Sequence, residues 1–274
     1  MRGNSQARFL GGLGLATAPG YPTLRLESSH QKYAMKIEYS PIKNGQYTVE
    51  INLKSYCEEF QELRVEANQH RKQDPFVSSF EQGILKYKSE TLLPERTEGD
   101  KQNLLFVFGN PAIHSIIHGM FFFSRRDGSR HGMWGKLNKA GIIGQIMRKN
   151  PNPLDARREE AEKRKRIILA GKGSSRCLVG MTTFYSFPTS AEGGVERVEK
   201  LYSPILDEIK KQETERILSY EFTEGARLIF VQKSSYRAFL ANAPEREQDT
   251  IFWPIRGRGS SGEVLKRKLK EIGC

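Results

Sequence analysis

An amide, a hydroxyl and an aromatic ring follow one another closely in the stretch Phe108-Gly-Asn-Pro-Ala112 and on to Gly119-Met-Phe-Phe122. Asn110 offers a side-chain amide to a loop, Gly119 lets backbone approach a flat object, and Phe122 supplies a face on which to stack. His114 and Ser115 sit on the turn between them. A pocket with one amide and one aromatic wall suits a nucleobase swung out of a duplex. The same residues fit a second reading equally well. In it Asn110 caps its own turn through the backbone, Phe122 is a core residue in a run of three, and His114 only donates a hydrogen bond.

Something must hold these groups in place. The apolar run Leu104 to Phe108 stops at Asn110-Pro111, the pattern of a buried strand emptying into a loop. Open α/β sheets place their ligands at such carboxyl ends. Apolar runs near 104–108, 177–183, 227–232 and 249–253 alternate with helix-compatible stretches. This predicts a three-layer α/β/α sandwich with a mostly parallel central sheet over 101–274. Upstream, Met35-Lys-Ile-Glu-Tyr39 and Gln46 to Leu53 alternate around Asn44-Gly45, a hairpin signal. Helices are expected over Ser55–Gln73 and 76–88, giving a small α+β appendage over 31–100. Residues 1–30 are rich in Gly, Ser and Pro and read as a loose tail. Arg2 and Arg8 precede a short apolar run there, but its glycines argue against an export signal, and Met35 is an alternative start.

The order and spacing of three blocks carry a resemblance. Asn110-Pro111, Gly119 to Phe122 and Met133-Trp134 to Gly141 form the first. Gly180-Met-Thr-Thr-Phe-Tyr-Ser-Phe-Pro-Thr189 is the second, and Leu228-Ile-Phe-Val-Gln-Lys-Ser-Ser-Tyr236 the third. Together they resemble the uracil-DNA glycosylase superfamily, nearest its mismatch-specific uracil/thymine branch, over about Asn103 to Gly273. The resemblance implies a hydrolase that flips a pyrimidine out of double-stranded DNA and cleaves its N-glycosidic bond, leaving an abasic site. It assigns Asn110 to orienting the attacking water, Phe122 to stacking on the base and Ser115 to the pocket; His114 and Thr183 are base-binding candidates at positions where this chain departs from the family. Lys233 and Ser234 fall in the third block and are expected at DNA. Breaking this bond needs positioned water and a stabilised leaving base, with no metal or other cofactor.

The chain departs from the family at the C-terminal motif, where Trp253-Pro-Ile-Arg-Gly-Arg-Gly-Ser-Ser261 keeps only the proline. The histidine that stabilises a uracil anion is missing. Trp253, Arg256, Arg258 and Ser260 remain as candidates to wedge the duplex and hold phosphates; a plain flexible turn is the other reading. Loss of uracil-reading groups points to a roomier site and a bulky modified pyrimidine, such as the hydroxymethylated or glucosylated cytosines of phage DNA, and so to antiviral defence. Uracil/thymine mismatch repair, a catalytically silent nucleic-acid-binding protein on this fold, and an unrelated α/β enzyme are the alternatives.

Bulk properties agree with a polyanion partner: 44 Lys and Arg against 32 acids give a net charge of +12 over 274 residues. Three cysteines, Cys57, Cys177 and Cys274, are too few for a four-thiolate iron–sulfur cluster and lie too far apart for a disulfide framework, so a cytoplasmic protein is expected. No run approaches a membrane span. Leu154 to Arg166 reads as a mixed-charge helix laced by i,i+4 pairs, or as a DNA-facing basic ridge continuing through Lys172 and Arg176. Gly171-Lys-Gly-Ser-Ser175 lacks the P-loop spacing.

Overall fold

A computed structural model describes residues 35–56, 58–95, 101–125, 129, 131–143, 154–174, 176–190 and 194–272. The expected tail over 1–30 lies outside them. The first element is a hairpin, β1 (Ile37–Tyr39) with β2 (Gln46–Asn52), paired Ile37 to Ile51 and Tyr39 to Val49. Its turn is Asn44-Gly45, with φ of 50° and 78°. Two consecutive left-handed residues give the twist that adjoining strands need.

A second hairpin, β3 (Ser78–Glu81) with β4 (Ile84–Glu90), occupies the stretch expected to be a helix over 76–88. The reason is local. Gln82-Gly83 takes φ of 52° and 76°, and Leu85, Tyr87 and Ser89 alternate inward with period two. The sheet order is β1-β2-β4-β3, all antiparallel. Helix α1 (Gln61–Gln73) covers it with Leu63, Ala67 and His70 buried, and the Ser78 hydroxyl donates to the Ala67 carbonyl at 3.0 Å. It begins later than expected, after the one-turn 3₁₀ segment Lys54–Tyr56.

The second sheet holds β5 (Gln102–Phe108), β6 (Cys177–Thr183), β7 (Arg227–Phe230) and β8 (Thr250–Phe252) in the order β6-β5-β7-β8, every neighbour parallel. These are the four apolar runs read as strands. All seven residues of β6 are buried, as expected of a parallel strand covered on both faces. Along β5, Leu105 and Val107 point into a core shared with Val49, Ile51, Leu63 and Tyr87, to which α5 (Gly194–Leu201), α6 (Leu206–Leu218) and α7 (Lys233–Asn242) contribute. Leu104, Phe106 and Phe108 point into the opposite core, built with α3 (Gly132–Lys139), α4 (Leu154–Leu169) and α8 (Gly262–Glu271). Helices therefore flank the parallel sheet on both sides. After β4 the chain runs along the β6 edge, where Leu92 and Met181 exchange both backbone hydrogen bonds at 2.7 Å. No helix among the described residues is long and apolar enough to cross a membrane.

Two cations of the expected basic ridge are not at the surface. Arg164 and Lys165 are buried: Arg164 stacks over Trp134 at 5.2 Å and pairs with Glu160, and Lys165 pairs with Glu162 at 2.8 Å. The long aliphatic stems of α4 serve as packing material, leaving Arg166, Lys172 and Arg176 at the more open end of the ridge.

Candidate active site

The strand order reverses at β5. Its chain leaves to β6 on one side, and the return crosses over to β7 on the other. A cleft of about 140 Å³ opens at this reversal, beyond the carboxyl ends of β5 and β7, the position where open α/β sheets place ligands. Its size is comparable with the apolar cavity of about 150 Å³ that accepts a benzene ring. One aromatic ring fits.

Asn110 stands in its wall. The amide nitrogen donates to the Thr189 hydroxyl at 2.8 Å and to the Pro111 carbonyl at 3.2 Å, which uses its two hydrogens. The acceptor Oδ1 is left without a hydrogen bond among the described residues; the nearest neighbour a side chain on Gly194 would meet is this oxygen. The loop beneath is laced to the segment after β6: Tyr185 N–H donates to Gly109, Thr189 N–H to Pro111, and Ile113 N–H to Thr189. Gly109 has to be glycine. A Cβ there would lie 2.3 Å from Val195 and 3.0 Å from Gln232, and both neighbours line the cleft.

Helix α2 (Ile113–His118) follows, and it sorts its two candidates. Ser115 is buried on the cleft side. His114 points the other way. It packs edge-on against His118 and Phe123 and bonds Ser124 at 3.1 Å, because one residue along a helix is a 100° turn. Gly119 does not approach the cleft; at φ 64° it is the left-handed cap that ends α2.

Phe122 forms the aromatic wall. Its φ of 50° is unusual for a residue with a Cβ, a strain that clusters at ligand sites. The conformation is held by Trp134, whose ring N–H donates to the Phe122 carbonyl at 2.9 Å. His131 stacks on the Phe122 ring at 4.6 Å and Phe108 meets it edge-on at 4.8 Å. Burial, with Arg125, Arg256 and Lys136 nearby, lowers the His131 pKa to about 4, so this support is neutral at physiological pH.

Two of the remaining candidates belong to the interior. Thr183 is fully buried at the end of β6, where its carbonyl accepts from Arg216 at 2.6 Å. Trp253 is fully buried in the core, with the Lys136 ammonium 6.0 Å from its ring, so it is no wedge. By contrast, Arg256, Arg258 and Lys233 reach solvent, and none makes an ion pair among the described residues. Ile255, next to Arg256, lines the cleft and accepts from Lys136 at 2.6 Å through its carbonyl. Lys233 and the exposed Ser234 open α7 immediately after the cleft residue Gln232, which gives the helix no side-chain cap. Ser260 is half-buried and closes the Arg256–Arg258 turn through its N–H to the Gly257 carbonyl.

Sequence reasoning misses Glu90. It lies at the end of β4, is 2% exposed, lines the cleft, and has an Oε2 with no hydrogen-bond partner. Burial pushes its carboxyl well above the usual carboxylate range, against the smaller pull of Lys165. No local pattern marks it, because Glu90 falls out of phase with the inward-facing Leu85, Tyr87 and Ser89 and shares its face of β4 with Lys86 and Lys88. Among the described residues, no group of three or more His, Cys, Asp or Glu is placed to hold a metal ion. No protein-family model matches the sequence, and comparison with curated proteins finds no relative.

Proposed function

We propose that this protein is a monofunctional DNA glycosylase acting on a pyrimidine. The observation that carries the reading is Asn110: both amide hydrogens are engaged, leaving its oxygen at a ring-sized cleft beside the stacking face of Phe122. That oxygen can accept a hydrogen bond from a water and orient it toward the sugar carbon, while Phe122 holds the extruded base, a contact of about 1–3 kcal/mol. Asn110 and Phe122 both lie in the first of the three blocks that carry the resemblance to the uracil-DNA glycosylase superfamily. Arg256, Arg258 and Lys233 beside the cleft supply solvent-facing cations for the flanking phosphates, in keeping with the net charge of +12.

The cleft volume bears on the substrate. It is of ring size, smaller than the roomier site the sequence suggested, so a hydroxymethyl or glucosyl group on a modified cytosine would have to lie outside it. Excision of such bases would scatter abasic sites through phage DNA and make the protein a defence factor. The test is a panel of duplexes carrying uracil, mismatched thymine and modified cytosines, scored for free base and for alkali-labile sites in an otherwise intact strand. Base release with no strand scission is the expected result. DNA binding without release from any duplex would favour the catalytically silent reading.

A further inference from the structure

We propose that Glu90 is the acid of the cleft, donating its carboxyl proton to the departing base. The inference rests on the glycosylase reading and supplies the step that reading lacks, since the histidine expected to stabilise a leaving base has no counterpart in the loop after β8.

The argument begins with what a buried carboxyl normally requires. Polar groups removed from water are hydrogen-bonded in nearly every case, and an exception calls for an explanation. Glu90 is 2% exposed and its Oε2 has no partner. None of the surrounding elements neutralises it. On β2, Gln46 is its register partner, and one N–H of that uncharged amide donates to the Ile116 carbonyl at 2.6 Å. On α4, the Lys165 ammonium pairs with Glu162 at 2.8 Å. On α2, Ser115 shares the cleft and is uncharged. Burial therefore favours the protonated form, and a protonated carboxyl can donate as well as accept. The site that leaves this proton unused is the same cleft that holds Asn110 and Phe122.

In the reaction, the bond between the sugar C1′ and the base N1 breaks, and its electron pair stays with the base. The Glu90 proton passes to the base, to its ring N3 or its O2, so that it leaves uncharged. Water held by Asn110 adds to C1′, and the proton it loses returns to the Glu90 carboxylate. One water is consumed, one free base and one abasic sugar form, and Glu90 is regenerated. A cytosine-type ring suits this acid best, because its N3 accepts the proton while its N4 amino group donates to the other carboxyl oxygen.

The test uses the full chain in two measurements. Single-turnover base release is followed across pH for wild type, Glu90→Gln, Glu90→Ala and Asn110→Ala on the duplex panel. Infrared difference spectra of wild type against Glu90→Gln, recorded at neutral pH, look for a protonated-carboxyl band. The expected result is a loss of roughly 10²–10⁴ in rate for Glu90→Gln, the range for a general acid, with DNA affinity kept. The alkaline fall in the wild-type rate should vanish in that variant, and the infrared band should be present. An active wild type whose Gln variant matches it, or whose spectrum shows only carboxylate, would overturn the role of Glu90 and leave the glycosylase reading standing. No release by wild type from any duplex would overturn both, whatever the infrared spectrum shows.

Discussion

Glu90 and Glu213 are equally buried, each about 2% exposed, and they have opposite surroundings. Glu213 accepts from the Ser186 backbone N–H at 2.7 Å and from the Ser186 hydroxyl, and pairs with the Arg216 Nε at 2.6 Å. Arg216 in turn donates to the Thr183 and Phe184 carbonyls at 2.6 and 3.1 Å and to the Tyr220 hydroxyl, and lies over the rings of Tyr39, Tyr47 and Tyr220. The cluster ties α6 to the end of β6 and to both strands of the first hairpin. Every charge there is answered. Beside the cleft, the Glu90 Oε2 has no hydrogen-bond partner and the carboxyl feels only the smaller pull of Lys165. A buried carboxyl whose bonds are all made is architecture; one with an oxygen left unbonded at the edge of a cleft is available for chemistry.

The strongest way to break this contrast is to remove Arg216. Arg216→Met leaves Glu213 buried and unpaired, and should cost about 3–5 kcal/mol of stability, read from the midpoint of urea unfolding. Adding Glu213→Leu should recover most of it. A single variant as stable as wild type would mean that the cluster holds nothing together. Next in size, Asn110→Ala should slow base release by about a hundredfold or more, the scale for one preorganised polar group, with the melting temperature and DNA affinity nearly unchanged. Retained activity would remove Asn110 from the chemistry.

Smaller effects sharpen the picture. Converting Arg256 and Arg258 together to Ala should weaken binding to all sequences alike. It should also make the salt dependence shallower by about 0.9 for each phosphate no longer neutralised. An unchanged slope would place the DNA elsewhere. The smallest effect is a dependence of stability on pH. His118 and His131 have folded pKa values lowered to about 4, so between that value and the ordinary histidine range the unfolded chain binds more protons. Their burial therefore costs stability as pH falls through this window. Glu90 has the opposite sign. Its raised folded pKa means that the stabilisation of its neutral form, complete below the ordinary carboxylate range, is lost as pH rises toward the folded value. The melting temperature of Glu90→Gln should thus gain on wild type as pH rises above that range. A constant difference would show that Glu90 titrates normally.

What the sequence made legible was whatever depended on local pattern. The runs around 104–108, 177–183, 227–232 and 249–253 are strands because buried parallel strands are uninterrupted apolar runs. Asn44-Gly45 is a turn because few other pairs tolerate two positive φ angles. Asn110, Ser115 and Phe122 meet at one cleft because all three lie on the run of chain that leaves one strand end and turns back through the short α2. What stayed hidden depended on partners distant in sequence. Gln82 in a left-handed turn is a poor signal, so the β3–β4 hairpin reads as a helix. Trp253 beside two arginines resembles a wedge until the core that receives its indole is known. His114 and Ser115 are adjacent in sequence yet face opposite sides of α2. Glu90 becomes meaningful only when β4 is placed against α2 and β5.

The pairing of Leu92 with Met181 has a bearing on self-association. A strand that is buried along its whole length and stands at the end of a sheet offers its free backbone groups to any second copy. Here β6 is such a strand, and the segment leaving β4 occupies its edge, satisfying both polar groups of Met181. Residues upstream of β5 thereby act as a guard rail. A fragment beginning at residue 101 would lose this cover together with the apolar face that Val49, Ile51 and Tyr87 present to Leu105 and Val107. It would expose a sticky edge and a sticky face at once, the combination that drives chains to polymerise before they can fold.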